Sequence, residues 1–353
     1  MSPHGTGIML QLINRTDFAA ERAALVSSDG SQVWVIIIKA TYRFDHAGSV
    51  HLHGQQEPVC LSPLYSGEPG RSSLLRDVET VVDHPGTDVT VLATARAPNE
   101  KPVSALDVGV RVAAVAKTIR VFGRRFWRKN GVGLRISAPE PFIAQPINYE
   151  TAYGGIDVRS GQKESRNPIG VGFASSADDL NDKPLPNAEE PRQLINEWTD
   201  RPTPAGFGPI PPMWSPRLEY AGTFDSHWRE LKMPLLPDDY DSRHARAAHP
   251  DLVSEAHLRG GEEVVLSNLT PVSTLRFLLP RVYLVVTTYT VAGSLRQRIQ
   301  LDRVIIEPDI QKLVLVWRSS LNCGSHIRDV VRSVVELKPQ FRRPGSPVET
   351  VGS

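Results

Sequence analysis

The stretch Gln32–Phe44 reads QVWVIIIKATYRF and is the clearest indication of fold class in this 353-residue chain. It opens as a run of mainly β-branched residues and ends with apolar and polar residues in alternation. A continuous apolar run is typical of a strand covered on both faces, and alternation is typical of a strand with one face in water. We therefore predict a buried strand that leaves a doubly covered core for a half-exposed sheet. Its apolar run stops at Lys39, far short of the roughly 20 residues of a membrane span, so we expect no membrane insertion.

Strand and turn patterns continue on both sides of this stretch. Residues Leu106 to Val112 alternate, and Lys117 to Phe122 is predicted as their hairpin partner. Short strand patterns return after Arg259, at residues 263–267, 274–279, 282–290, 295–301, 304–307 and 313–317. Spacings near ten residues favour antiparallel sheets in a sandwich or barrel. We predict a mainly β fold with few short helices, which we place at residues 191–198 and 226–231.

Composition divides the chain into four parts: an N-terminal β region (9–130), an ordered Pro- and Gly-rich insertion (131–257), a C-terminal β region (258–337) and a mobile tail (338–353). Each β region ends its clearest hairpin with a Trp-Arg pair, Trp127-Arg128 and Trp317-Arg318. This repetition suggests two related β lobes.

Charge and cysteine content narrow the function classes. Forty basic and 39 acidic residues give a net charge of +1, which supplies no field for attracting nucleic acid. The two cysteines, Cys60 and Cys323, lack CxxC spacing, so we expect core thiols in a reducing cytoplasm. The first residues carry no basic run ahead of an apolar one, so we expect no signal peptide.

The stretch Arg201–Asp241 holds eight of the 29 prolines together with regularly spaced aromatic residues. Proline excludes an interior helix or a central strand, and large aromatic residues argue against a disordered linker. We interpret the stretch as a long, stiff loop held by aromatic anchors. The residues predicted to bind a partner are Phe207, Pro209, Trp214, Arg217, Tyr220, Phe224 and Trp228. The alternative is that the aromatic side chains cover the edge of the protein's own core.

Motifs for catalysis are weak. The sequence Asp238-Asp239-Tyr240-Asp241 precedes His244, His249 and His257, but these histidines lack the i, i+4 spacing of a helical metal site. No GxSxG, GxxxxGK[ST] or GxGxxG motif is present. We therefore expect no enzyme activity, no metal and no cofactor. The residues to which we assign structural loop roles are Tyr153, Gly154, Gly155, Asn167, Pro168, Gly170, Gly172, Asp238 and Asp241, the glycines for positive φ or close backbone approach.

Several longer motifs occur in a fixed order, among them LINRTDFAAER (12–22), VFGRRFWR (121–128), NPIGVGF (167–173), RPTPAGFGPIPPMW (201–214) and LRGGEEV (258–264). From residue 9 to about 320, this order resembles a bacterial family of unknown function encoded beside VgrG and PAAR-like genes in type VI secretion clusters. The resemblance implies a cytoplasmic adaptor or chaperone that helps load an effector, usually one with a PAAR-like domain, onto the VgrG spike. Two alternatives stay open: a β-sandwich module that binds carbohydrate or peptide, and a hydrolase whose site is assembled from distant residues.

Overall fold

A computed structural model describes residues 10–131 and 133–338. The tail predicted from residue 338 onward lies outside these residues except for Lys338, and so does Met9. Strands account for 41% of the described residues and helices for 10%, and several antiparallel sheets pack in a sandwich-like manner. The prediction of a mainly β fold is confirmed.

The described residues form 24 strands and one α-helix, α1 (Ser226–Leu231). The strands are β1 (Gln11–Asn14), β2 (Ala19–Val26), β3 (Gln32–Phe44), β4 (Val50–Leu52), β5 (Leu64–Tyr65), β6 (Leu74–Arg76), β7 (Thr87–Val91), β8 (Ala93–Arg96), β9 (Ala105–Val112), β10 (Val115–Phe122), β11 (Trp127–Asn130), β12 (Gly133–Ile136), β13 (Ala144–Ile147), β14 (Tyr153–Gly154), β15 (Val171–Gly172), β16 (Ala188–Glu189), β17 (Val253–Ser254), β18 (Glu263–Ser267), β19 (Thr274–Leu278), β20 (Leu284–Thr290), β21 (Gly293–Gln297), β22 (Gln300–Glu307), β23 (Lys312–Gly324) and β24 (Val330–Leu337). Short 3-10 helices span Pro98–Glu100, Tyr149–Thr151, Ala177–Asp179, Arg217–Tyr220, Ser242–Ala245, Pro250–Leu252, Pro308–Ile310 and Ile327–Asp329.

The largest sheet has the strand order β17-β7-β22-β23-β3-β2, with β4 paired to β3. Strand β3 lies between β23 and β2, antiparallel to both. Trp34, Ile36 and Ile38 face the main core, whereas Val35 and Ile37 pack in a second cluster on the opposite face of the sheet. The prediction of a strand covered on both faces is therefore confirmed.

The second half of β3 differs from the prediction. Its polar residues Lys39 and Thr41 are buried instead of facing water. The Lys39 ammonium lies 3.0 Å from a carboxylate oxygen of Glu57 and 2.9 Å from one of Glu79, and the Thr41 amide donates to Gln56 Oε1 at 2.8 Å. The predicted half-exposed sheet is wrong here, because the chain segment after β4 covers this face and supplies polar partners.

A five-stranded sheet, β16-β10-β9-β18-β19, and a four-stranded sheet, β1-β24-β20-β21, pack against the large sheet. Val108 and Val110 of the first and Val335 of the second share the main core with β3. The predicted hairpin of residues 106–112 and 117–122 is confirmed as β9 and β10.

Both predicted β regions contribute to the same sheets. Strand β9 pairs with β18, strand β3 pairs with β23, and strand β7 pairs with β22. Trp127 opens the small β11–β12 ribbon, while Trp317 lies within the 13-residue strand β23, so the two positions are not equivalent. The two predicted β regions therefore build one shared core.

Other differences are local. Helix α1 matches its prediction, but residues 191–198 form turns and bends without a helix. The strand predicted at 295–301 is divided between β21 and β22, because the chain passes there from the four-stranded to the seven-stranded sheet. Across the described ranges, we find no helix with the length and apolar character needed to cross a membrane.

Candidate functional site

The first half of the Pro-rich stretch packs into the protein's own interior. Phe207 belongs to the main core, and its carbonyl accepts a 2.8 Å hydrogen bond from the amide of Val91 in β7. Trp214 packs edge-to-face on Tyr149, with ring centroids 5.7 Å apart. The Ile210 amide donates to the carbonyl of Ala247 at 2.7 Å. Core packing and backbone hydrogen bonds thus hold this part of the loop in place.

Arg217 ties the loop together from within. Its guanidinium donates to the carbonyls of Ile210 at 2.6 Å and His244 at 2.8 Å, and it lies 2.9 Å from a carboxylate oxygen of Asp77. Burial lowers the pKa of Arg217, and the Asp77 charge opposes that change. Because arginine is a very strong base, the side chain stays charged and holds the backbone at Ile210 and His244 near the Asp77 carboxylate.

The partner-binding residues predicted from sequence therefore fall into two groups. Four of them, Phe207, Pro209, Trp214 and Arg217, are buried and offer no surface to a partner, so the core-cover alternative holds for these positions. Tyr220 and Trp228 are half-buried, and Phe224 is exposed. Large apolar side chains are exposed at Met213 and in the later part of the stretch.

The exposed group of large apolar side chains, which we call the apolar loop surface, consists of Met213, Leu218, Phe224, Leu231 and Met233. Their exposed fractions run from 42% to 71%. Four of these residues are aliphatic or sulfur-containing, and sequence reasoning missed them because it followed the aromatic residues. Their apolar character within a Pro-rich, ordered segment was the available signal.

The backbone beneath this surface is well supported. Asp225 caps α1 by accepting from the Trp228 amide at 2.8 Å. The Trp228 indole donates to the Leu235 carbonyl at 2.8 Å and packs edge-to-face on Phe224, with ring centroids 4.8 Å apart. The exposed apolar groups are therefore held in defined positions before any partner binds.

The glycine motifs meet around Asn167. Its side-chain amide donates to the carbonyls of Tyr149 at 2.8 Å and Tyr153 at 2.9 Å. A Cβ on Gly154 would overlap the Asn167 carbonyl, and one on Gly170 would overlap the Asn167 side chain. Gly154, Gly155 and Gly172 also have positive φ, while Pro168 is half-buried. Close packing of backbone accounts for these motifs.

The acidic turn and the histidines do not form one site. Asp238 is exposed and pairs with Lys232 at 2.5 Å, and Asp241 pairs with Arg243 at 2.5 Å. In the part of the chain that the structure covers, no group of three His, Cys, Asp or Glu residues has an arrangement able to hold a metal ion.

Each histidine has its own surroundings. His244 lies beside Arg217, and burial lowers its pKa. His249 caps the 3-10 helix at 250–252, with its Nε2 3.4 Å from the ammonium of Lys117. Burial, helped by the Lys117 charge, lowers the pKa of His249 to about 4. His257 donates from Nδ1 to the carbonyl of Leu301 at 3.1 Å.

Comparison with known proteins identified a match to a protein family. Residues 29–318 match the family described as uncharacterised protein conserved in bacteria, DUF2169. The chain belongs to the DUF2169 family. No curated protein and no solved structure matches it. The matched range contains β3, the apolar loop surface and most of β23, and it ends before β24.

The DUF2169 chain also buries a set of charges that sequence reasoning missed. Arg76 lies 2.9 Å from Glu57 and 2.6 Å from Glu307, while Lys39 lies between Glu57 and Glu79. Burial opposes ionisation of Glu57, yet the hydrogen bond from Arg76 and the Lys39 charge lower its pKa to about 2. Lys312, which lies beside Glu57 and Glu307, balances the third carboxylate, so these groups neutralise one another and position the sheet and the segment that covers it.

The two thiols also differ from expectation. Cys60 and Cys323 are free and half-exposed instead of fully buried. Burial raises the pKa of both thiols. A raised pKa reduces the thiolate fraction at neutral pH, which does not favour a nucleophilic role for either residue.

Proposed function

We propose that this DUF2169 protein is a type VI secretion adaptor or chaperone that acts in the bacterial cytoplasm. It binds an effector protein that carries a PAAR-like domain and helps load that effector onto the VgrG spike. The ordered motifs described above support the assignment to this class. The observation that carries the proposal is the apolar loop surface, since exposed apolar side chains concentrated in one ordered segment are typical of protein-binding surfaces.

The arrangement of the loop favours binding on energetic grounds. Arg217 and Trp214 fix its base, and α1 with its Asp225 cap fixes the exposed part. Side chains on a preformed backbone lose little conformational entropy when a partner covers them. Phe224 and Leu231 therefore have the properties of interface anchors.

The interior charges favour binding over catalysis. Arg217 is paired with Asp77, Lys39 with Glu79, and Arg76 with Glu57. A general acid or base has to reach the substrate, whereas these charges are engaged with one another inside the protein. We therefore propose a role without enzyme activity.

The test is co-purification with a co-expressed PAAR-like effector encoded beside the adaptor. We expect the double variant F224S/L231S to lose most of the captured effector while keeping the thermal melt of the parent protein, because both side chains are exposed. The matched control is L61S/V158S, which removes two exposed apolar side chains elsewhere. Equal capture by F224S/L231S and the parent protein would exclude the apolar loop surface as the effector site.

A further inference from the structure

A groove of about 850 Å³ lies where the four-stranded sheet meets the seven-stranded sheet. Its walls come from residues 255–259, 282–285, 296, 298–301, 317 and 336–338. Leu258, Leu301 and Trp317, all buried, form its apolar lining. The groove is open to solvent and shares no residue with the apolar loop surface.

The charges along this groove do not balance. Of its two carboxylates, Glu255 pairs with Arg246 at 2.7 Å and Glu336 pairs with Arg15 at 2.7 Å, and neither arginine lines the groove.

Three further arginines, Arg259, Arg296 and Arg298, also line the groove and are exposed. Within residues 10–131 and 133–338, none of the three lies within ion-pair distance of a carboxylate. An arginine fork is suited to a planar, bidentate carboxylate partner. The groove therefore has an excess of positive charge that is complementary to acidic side chains.

Strand β21 borders the groove and stands at the edge of its sheet. It pairs with β20 on one side, and its first four residues are exposed. An edge strand presents backbone N–H and C=O groups that an extended peptide satisfies by pairing as an additional strand. Arg296 lies on β21, and Arg298 follows directly after it.

We propose that this groove binds an extended, acidic segment of a partner protein. The segment adds to the edge of β21, its carboxylates pair with Arg259, Arg296 and Arg298, and its apolar side chains enter the groove above Trp317. The apolar lining favours a peptide over inorganic phosphate, and the net charge of +1 disfavours nucleic acid. The inference does not depend on the proposed effector-loading function.

The test uses a short fluorescein-labelled peptide in which Glu alternates with Val and Thr, and measures binding by fluorescence anisotropy. We expect saturable binding that weakens as salt is added, because exposed charge pairs are screened. R296E/R298E should weaken binding by about ten-fold or more, since attraction at two positions becomes repulsion. A peptide N-methylated along one edge should also bind more weakly, because it cannot complete the strand hydrogen bonds.

The matched control is R43E/R328E, which makes the same change of charge at two exposed arginines outside the groove. It should retain parent affinity, and R296Q/R298Q should give an intermediate loss with an unchanged thermal melt. The proposal is overturned if the Glu peptide does not bind, if both Glu variants lose affinity equally, or if N-methylation has no effect. It is also overturned if oligo-dT or inorganic phosphate binds in the groove more tightly than the peptide.

Discussion

The substitution Trp214→Ala separates the structural part of the Pro-rich loop from its exposed part. Trp214 is 5% exposed and packs with Tyr149, Ala152 and Ile210. A buried tryptophan removes about 150 to 250 Å² from water, which at about 25 cal/mol/Å² corresponds to about 4 to 6 kcal/mol. Alanine retains part of that burial and the site relaxes, so we expect the free energy of unfolding to fall by about 3 to 5 kcal/mol.

Urea unfolding followed by far-UV circular dichroism measures this change. The midpoint for Trp214→Ala should fall by about 1 M or more, since the slope with urea is a few kcal/mol per molar for a chain of this size. The matched control is Phe224→Ala, where the side chain is 53% exposed, and its cost should stay below about 1 kcal/mol. If Trp214→Ala unfolds at the parent midpoint, the loop is not held by this packing and the reasoning fails.

Three further predictions concern the interior. Lys39→Ala leaves the Glu79 carboxylate buried without its cation, so the free energy of unfolding measured in urea should fall by about 3 to 5 kcal/mol. A fall of less than about 1 kcal/mol would mean that Glu79 takes up a proton or reaches water. His249 has a pKa of about 4 in the folded protein against about 6.5 when unfolded, so it stabilises the fold above pH 6.5 and this contribution is lost as the pH falls towards 4. His249→Asn should reduce the dependence of the free energy of unfolding on pH across that window. If the pH dependence stays unchanged, groups other than His249 cause it. Gly154→Ala should cost more than about 3 kcal/mol because its Cβ meets backbone, whereas Gly161→Ala, with open space around it, should cost about 1 kcal/mol in the same melts.

Local sequence patterns predicted the strands whose burial can be inferred from their own residues. The bounds of β3 and the β9–β10 hairpin follow from β-branched runs and alternation. The burial of Lys39 was missed because its partners Glu57 and Glu79 lie 18 and 40 positions further along the chain. Within an alternating pattern, a lysine predicts a solvent-exposed position unless a distant segment is known to cover it.

The candidate sites show the same limit. Proline and aromatic residues together predicted an ordered loop at residues 201–241, but the position of Phe207 depends on β7 and that of Trp214 depends on Tyr149. Neither contact has a local sequence signal. The arginine-lined groove also escaped prediction, because it exists only where two sheets meet and draws on residues from 255 to 338.

The buried and the exposed parts of the loop contribute differently to stability and to binding. Up to Arg217, most side chains are buried in the core or hydrogen-bonded to it, so substitutions there act on folding. From Leu218 to Met233, large apolar side chains are exposed on a backbone whose cap and indole hydrogen bond are already made. A surface that depends on a rigid base, but adds little to the stability of that base, is free to vary with its partner. Under the proposed adaptor function, differences in partner preference within DUF2169 should therefore lie at Met213 and between Leu218 and Met233, while the buried residues from Pro202 to Arg217 stay committed to the fold.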